Sequence, residues 1–199
     1  MVSRTENAAS SRQIANACAS PGFILSSERS GSNLVRSILN THSRITAPHP
    51  IETAYPWRYT APLDSLSPNT RRNLIRDVVI NKHYSFHPLN IPIDVNGVAS
   101  LVESAYNPNH ITVQHALYEV CAANEKTQFW MSKYPGIWEW LDDILDYYNQ
   151  PKFVYLVRDP RDVVLSFKTS NIELYHAYFS ANRWPEEPRP SIQLLATND

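Results

Sequence analysis

Apolar positions in this chain fall into two kinds of run, short unbroken ones and ones spaced three to four apart, and their alternation predicts strands interleaved with helices. Residues 1 to 20 are polar and read as a loose leader, with a short helix near Ile14 to Cys18. Phe23-Ile24-Leu25, introduced by Pro21-Gly22, predicts a buried strand. A polar loop from Ser26 to Ser32 follows, and then a helix with Leu34, Val35, Ile38 and Leu39 on one face. Pro48, Pro50 and Pro56 break the next stretch. Three helices come after it: one near 69 to 81, one opening after Asp94 as N-cap, and one opening after Thr112 with Val113, Leu117, Val120 and Cys121 inward. Thr127 to Met131 predicts a second strand, and 137 to 148 an amphipathic helix with Asp142, Asp143 and Asp146 on its wet side. Phe153-Val154-Tyr155-Leu156-Val157 is apolar and β-prone throughout, which predicts a central strand. Pro160 then sits at a helix start, where its missing N–H costs little.

Strands alternating with helices predict an α/β fold with a parallel sheet. The expected organisation is a leader over 1–20, one domain over 21–180, and an irregular proline-rich tail over 181–199 that includes Trp184 to Pro190. At 199 residues the chain has room for one sizeable core. Its formal net charge of -1 argues against a general nucleic-acid or anionic-membrane binder, though not against a local basic site for a small anion. No stretch approaches the roughly 18 consecutive apolar residues of a membrane span, and no secretory signature is present, so a cytoplasmic protein is the expectation. Cys18 and Cys121 lie far apart in sequence and read as free thiols. Oligomeric state is not legible.

Two strand-to-helix corners carry the candidate chemistry. In the first, Arg29-Ser30-Gly31-Ser32-Asn33 enters a helix. Such a loop offers N–H groups and the positive end of the helix dipole to an anion, with a guanidinium and hydroxyls beside them. The alternative is an ordinary serine-rich turn capped at Ser32. No lysine follows Gly31, so the triphosphate-binding pattern G-x-x-x-x-G-K-[ST] is absent. In the second corner, a strand ends at Arg158, Asp159-Pro160-Arg161-Asp162 opens a helix, and Ser166 lies about two turns on. The alternative there is that Arg158 and Arg161 simply pair with Asp159 and Asp162.

Taken together, the corners resemble a known pair. Phe-Ile-Leu-Ser-Ser-Glu28-Arg29-Ser30-Gly31-Ser32-Asn33-Leu is similar to the 5'-phosphosulfate loop of the sulfotransferases. Phe-Val-Tyr-Leu-Val-Arg158-Asp-Pro-Arg-Asp-Val-Val-Leu-Ser166 resembles their 3'-phosphate motif, with the same eight-residue interval from Arg158 to Ser166. Trp130-Met-Ser-Lys133-Tyr-Pro135 resembles their Lys-x-Pro segment. The resemblance spans roughly residues 21 to 170 and implies a P-loop-type three-layer fold, with helices flanking a central parallel sheet. It implies transfer of a sulfuryl group from 3'-phosphoadenosine 5'-phosphosulfate to a hydroxyl or amine acceptor, without a metal. Arg29, Ser30, Gly31, Ser32 and Asn33 would hold the 5'-phosphosulfate, and Arg158 and Ser166 the 3'-phosphate. Lys133, with Arg29, would neutralise charge on the transferring group. Two positions depart from the family pattern: Glu28 stands where proline is frequent, and Asn33 where Thr or Ser is usual.

The acceptor proton needs a destination. Relatives with this loop can use a glutamate soon after the first helix, and here that stretch is Ala47-Pro48-His49-Pro50-Ile51-Glu52. His49 is favoured as base because an unperturbed imidazole, with pKa near ~6.5, titrates close to neutrality; Glu52 is the second choice. For each, the alternative is a surface or capping role. His83 and His87 are four apart but followed by Pro88, and read as loop histidines rather than zinc ligands. Tyr55, Trp57 and Tyr59 are candidates to line an acceptor pocket. Arg71, Arg72 and Arg76 form a solvated helix face, and His42 ends the first helix. The acceptor class, whether small molecule, glycan or peptide, stays open. The competing readings are a non-catalytic, degenerate nucleotide-binding remnant and a P-loop kinase-like enzyme.

Overall fold

The computed structural model describes residues 20–50, 65–80, 93–105, 108–134 and 136–169. Within them the chain runs β1 (Ser20–Ser26), α1 (Ser32–Leu39), β2 (Ile45–Thr46), α2 (Pro68–Ile80), α3 (Val95–Ser104), α4 (His110–Glu125), β3 (Phe129–Lys133), a 3-10 turn (Ile137–Trp140), α5 (Leu141–Tyr147), β4 (Lys152–Leu156) and α6 (Pro160–Lys168). The four strands form one sheet in the order β2-β3-β1-β4, and all three pairings are parallel. This is the α/β architecture expected from the alternation of strands and helices.

β1 is the pivot. Alternate residues of a strand point to opposite faces, and both faces of this one are covered. Phe23 and Leu25 pack into a core with Val98 and Val102 of α3, Leu117 and Tyr118 of α4, and Ile144 of α5. Ile24 packs on the other face with Ala47 and Met131, against Val35 and Leu39 of α1. Burying each such side chain contributes about 1.5–3 kcal/mol, and a two-sided core of this kind fixes the register of the strand that leads into the first polar loop.

Four expectations shift. The inward face of α1 is rotated: Leu34 and Ile38 are 66% and 60% exposed, whereas Ser32 and Arg36 are buried. The cause is the Arg36 guanidinium, which donates to the Ala47 carbonyl at 2.6 Å and to Ser37 Oγ at 2.8 Å. α4 begins at His110 because Asn109, not Thr112, is its cap. Asn109 Oδ1 accepts from the Thr112 N–H and Thr112 Oγ1 from the Asn109 N–H, a reciprocal capping box. β3 begins two residues late because Thr127 is used to close α4, its N–H donating to the Ala122 carbonyl after left-handed Lys126. Finally, β4 is an edge strand of the sheet among the described residues, with β1 in the middle, and Val154 is 38% exposed.

Other expectations hold within the described residues. Asp94 caps α3 by accepting from the Asn96 N–H. Ile137, Leu141, Ile144 and Tyr148 are buried, with Asp142, Asp143 and Asp146 outside. Pro160 stands in the first turn of α6. Arg72 and Arg76 are exposed, and Arg72 pairs with Glu103 at 3.2 Å, whereas Arg71, expected on the same solvated face, is half-buried. Cys121 is buried and in no disulfide. Glu52, Tyr55, Trp57, Tyr59, His83, His87, Cys18, the short helix near 14–18 and the tail from Trp184 to Pro190 lie outside the described residues.

Candidate functional site

In a parallel sheet every strand ends at the same edge, and ligands of open α/β sheets bind outside those carboxyl ends. The register makes this concrete. β1 and β4 pair from Gly22 with Lys152 to Ser26 with Leu156, so the loops after Ser26 and after Leu156 leave the sheet side by side. β3 pairs with β1 up to Lys133, opposite Ile24. β2 runs parallel to β3, so the segment after Thr46, Ala47-Pro48-His49, leaves at that edge too. The loop of Arg29, the corner of Arg158, Lys133 and His49 therefore all belong to one end of one sheet.

The first corner is wound tightly. Ser27 Oγ and Ser30 Oγ are hydrogen-bonded at 2.6 Å and buried. Arg29 and Gly31 both have positive φ, 62° and 90°. For arginine this costs roughly 1–2 kcal/mol, and such strain gathers at functional sites. Gly31 caps α1, its carbonyl accepting from the N–H groups of Leu34 at 2.9 Å and Val35 at 3.2 Å. Glycine carries no side-chain oxygen to occupy the N–H groups of the first turn. Left-handed residues in a loop entering a helix give the geometry in which backbone N–H groups form anion-binding concavities. Ser30 and Ser32 are buried, Arg29 and Glu28 half-buried, and Asn33 exposed.

The second corner locks onto the first. Arg158 Nη1 donates to the Arg29 carbonyl at 2.8 Å, and Arg29 Nε donates to Ser166 Oγ at 3.1 Å. Residues 129 and 137 positions apart in sequence are thus in direct contact. Neither arginine has a carboxylate partner among the described residues. Arg158 on the Arg29 carbonyl and Arg29 on Ser166 Oγ bring two cationic side chains to adjoining corners with no carboxylate on either among the described residues, an arrangement that can receive an anion.

The pairing alternative holds for the other arginine. Arg161 Nη2 reaches Asp159 Oδ2 at 2.6 Å, and the same carboxylate caps α6 by accepting from the Arg161 N–H at 2.9 Å. These bonds hold the Asp159 carboxyl down at about 2. A depressed carboxyl pKa stabilises the fold above the ordinary value and loses that contribution as pH falls through the folded one. Carboxyl-carbon NMR titration is expected to place Asp159 near 2, and Arg161→Ala to raise it towards the ordinary 3.8. An unchanged value in that variant would show that the backbone cap alone sets it.

Lys133 ends β3 and is 7% exposed. Its neighbour Ser132 accepts from Gln114 Nε2 at 2.7 Å, which ties this strand end to α4. His49 is half-buried. The two bonds that carry it were not legible in the sequence: Arg36 holds the Ala47 carbonyl, and Asn40 Oδ1 accepts from the Ala47 N–H at 2.6 Å. Among the described residues no group of three or more His, Cys, Asp or Glu side chains is arranged to hold a metal ion. No described helix is long and apolar enough to cross a membrane.

The model of the sulfotransferase family matches residues 21–192. Two solved structures are similar. One is the sulfotransferase domain from the curacin biosynthetic pathway, at 21% identity and a TM-score of 0.53, with 89% of this chain and 63% of that one covered. The other is the sulfotransferase domain from the Synechococcus PCC 7002 olefin synthase, at 21% identity and a TM-score of 0.49, with 89% and 62% covered. The chain therefore spans less than two thirds of either domain's length. No curated protein matches it.

Proposed function

The chain belongs to the sulfotransferase family, and from that premise we propose that it binds 3'-phosphoadenosine 5'-phosphosulfate across the two corners and transfers the sulfuryl group to a hydroxyl or amine. One observation carries the reading: Arg29 touches both halves of the second corner, through Arg158 and through Ser166. The β1–β4 pairing brings the two corners together, and a single bisphosphorylated nucleotide is the ligand that would use both at once.

Sulfuryl transfer resembles phosphoryl transfer, with in-line attack and catalysis by positioning and charge neutralisation. In this reading the loop Arg29 to Asn33 takes the 5'-phosphosulfate, and Arg158 with Ser166 takes the 3'-phosphate. Lys133 and Arg29 neutralise charge on the transferring group, and His49, or else Glu52, accepts the acceptor's proton. No residue is required to hold a metal. The acceptor is a small molecule, a glycan or a peptide. A kinase-like reading lacks its lysine, since Ser32 follows Gly31.

The test is thermal stabilisation by 3'-phosphoadenosine 5'-phosphate, set against AMP and ATP. A ligand that binds only the folded state raises its stability in proportion to RT ln(1 + [L]/Kd). The bisphosphate is expected to stabilise the protein well beyond AMP. In Arg158→Ala that advantage should shrink by about 10- to 100-fold in affinity, the loss of one charge-assisted contact of about 1.5–3 kcal/mol. Equal responses to AMP and the bisphosphate in the wild type would overturn the donor assignment. Donor binding without turnover would instead leave a nucleotide-binding module.

A further inference from the structure

The loop from Ser27 to Gly31 hinges on one peptide unit. Ser27 and Ser30 are tied through their hydroxyls at 2.6 Å, and the Gly31 carbonyl is taken by the N–H groups of Leu34 and Val35 in α1. Between these restraints stands Arg29, whose φ of 62° is a conformation that arginine disfavours. Its carbonyl accepts from Arg158 Nη1, 129 positions away, at 2.8 Å.

The Arg29–Ser30 peptide is trans, so its N–H points opposite to its carbonyl. A guanidinium that holds the Arg29 carbonyl on one side sets the direction of the Ser30 N–H on the other. Without that hold the peptide can rotate through ψ of Arg29 and φ of Ser30 and relieve the left-handed strain. A hydrogen bond from a charged donor is comparable in size to this strain, so one such bond suffices to keep it. Both ends of the brace are anchored. β1 ends at Ser26, three residues before Arg29, and β4 ends at Leu156, two before Arg158, and these two end residues pair in the sheet. A guanidinium carries five N–H donors. Arg158 commits one of them to the carbonyl, which leaves others for a phosphate.

We propose that Arg158 is a positioning residue for the first corner: it fixes the Arg29–Ser30 peptide, and through it the loop that takes a 5'-phosphate or 5'-phosphosulfate, whether or not the ligand carries a 3'-phosphate. The inference rests on the donor reading above and gives Arg158, assigned there to the 3'-phosphate, a second role at the opposite end of the ligand.

AMP and adenosine are the probes, since they differ in the 5'-phosphate and both lack the 3'-phosphate. Affinities are read by amide NMR titration at about 0.5 M salt, where charges not in contact are largely screened. The wild type should prefer AMP. Arg158→Gln should lower that preference about tenfold, because the binding-competent loop becomes a minor state. Arg161→Gln removes the same charge three residues on, where the guanidinium is bound to Asp159, and should leave the preference within about twofold. Without ligand, the amide signals of Arg29 to Ser32 should shift or broaden in Arg158→Gln, while those of Phe23 to Leu25 hold. Should the glutamine variant not fold, Arg158→Lys is read in the same way. It keeps the charge but not the fork, and a loss of about threefold is expected. An unchanged AMP preference in whichever variant folds overturns the inference, as does an equal loss in Arg161→Gln, which would reduce the effect to charge alone. Either result leaves the donor reading standing where the wild type still prefers 3'-phosphoadenosine 5'-phosphate to AMP. A wild type with no preference for AMP over adenosine overturns both.

Discussion

Lys133→Met should lower kcat by about 100- to 1000-fold while changing affinity for 3'-phosphoadenosine 5'-phosphate by less than tenfold. The size is that of removing one preorganised charge aimed at a transition state. The split follows from position. Lys133 ends β3, two strands from β4, while the 3'-phosphate contacts assigned to Arg158 and Ser166 lie at the β4 end of the sheet. Lysine is seldom so buried, and removing an ammonium from water is costly unless compensated. A structural role alone would show as a lower melting temperature with normal turnover per folded molecule. Methionine keeps the length and apolar volume of the side chain, so the variant should melt close to the wild type. Single-turnover rates with saturating donor, measured beside the melting curves, separate the two. Wild-type rates would remove Lys133 from the chemistry.

The sequence revealed those features that rest on local chemistry. Gly31 between serines and ahead of an apolar helix marked the first corner, and the interval from Arg158 to Ser166 marked the second. The parallel register of β1 and β4 then put the two corners next to each other. What the sequence could not supply was the partner of each polar group. Arg158 and Arg161 look equivalent beside two aspartates, yet Arg161 takes Asp159 while Arg158 crosses to the Arg29 carbonyl. That choice depends on the strand end that packs alongside, a contact 129 positions away. The rotation of α1 was hidden for the same reason. Apolar periodicity favoured Leu34 and Ile38 as inward, but a buried guanidinium with a carbonyl to bind outweighed two leucine-sized side chains. β2, only two residues long, carried no periodic signal at all. Its pairing with β3 is nonetheless what brings His49 to the sheet edge where β1, β3 and β4 end.

That placement leads to a second large effect. His49→Ala is expected to lower kcat by about 100-fold or more, the usual worth of a positioned general base, with donor-product affinity within about twofold of wild type. The segment before His49 is held at both backbone polar groups of Ala47, by Arg36 and by Asn40, so it is anchored to α1, the helix that the loop of Arg29 enters. Pro48 and Pro50 flank the histidine and restrict its backbone further. A base carried on so fixed a segment can keep its distance to the acceptor without a moving loop. Three readouts distinguish proton acceptance from packing. The acid limb of the kcat/KM profile should flatten in His49→Ala, added imidazole should restore part of the rate, and Glu52→Gln should stay near wild type. If Glu52→Gln instead loses the rate and His49→Ala keeps it, the proton goes to the glutamate, three residues further along the same segment. If both variants turn over normally, the proton goes to another group and neither side chain acts as base.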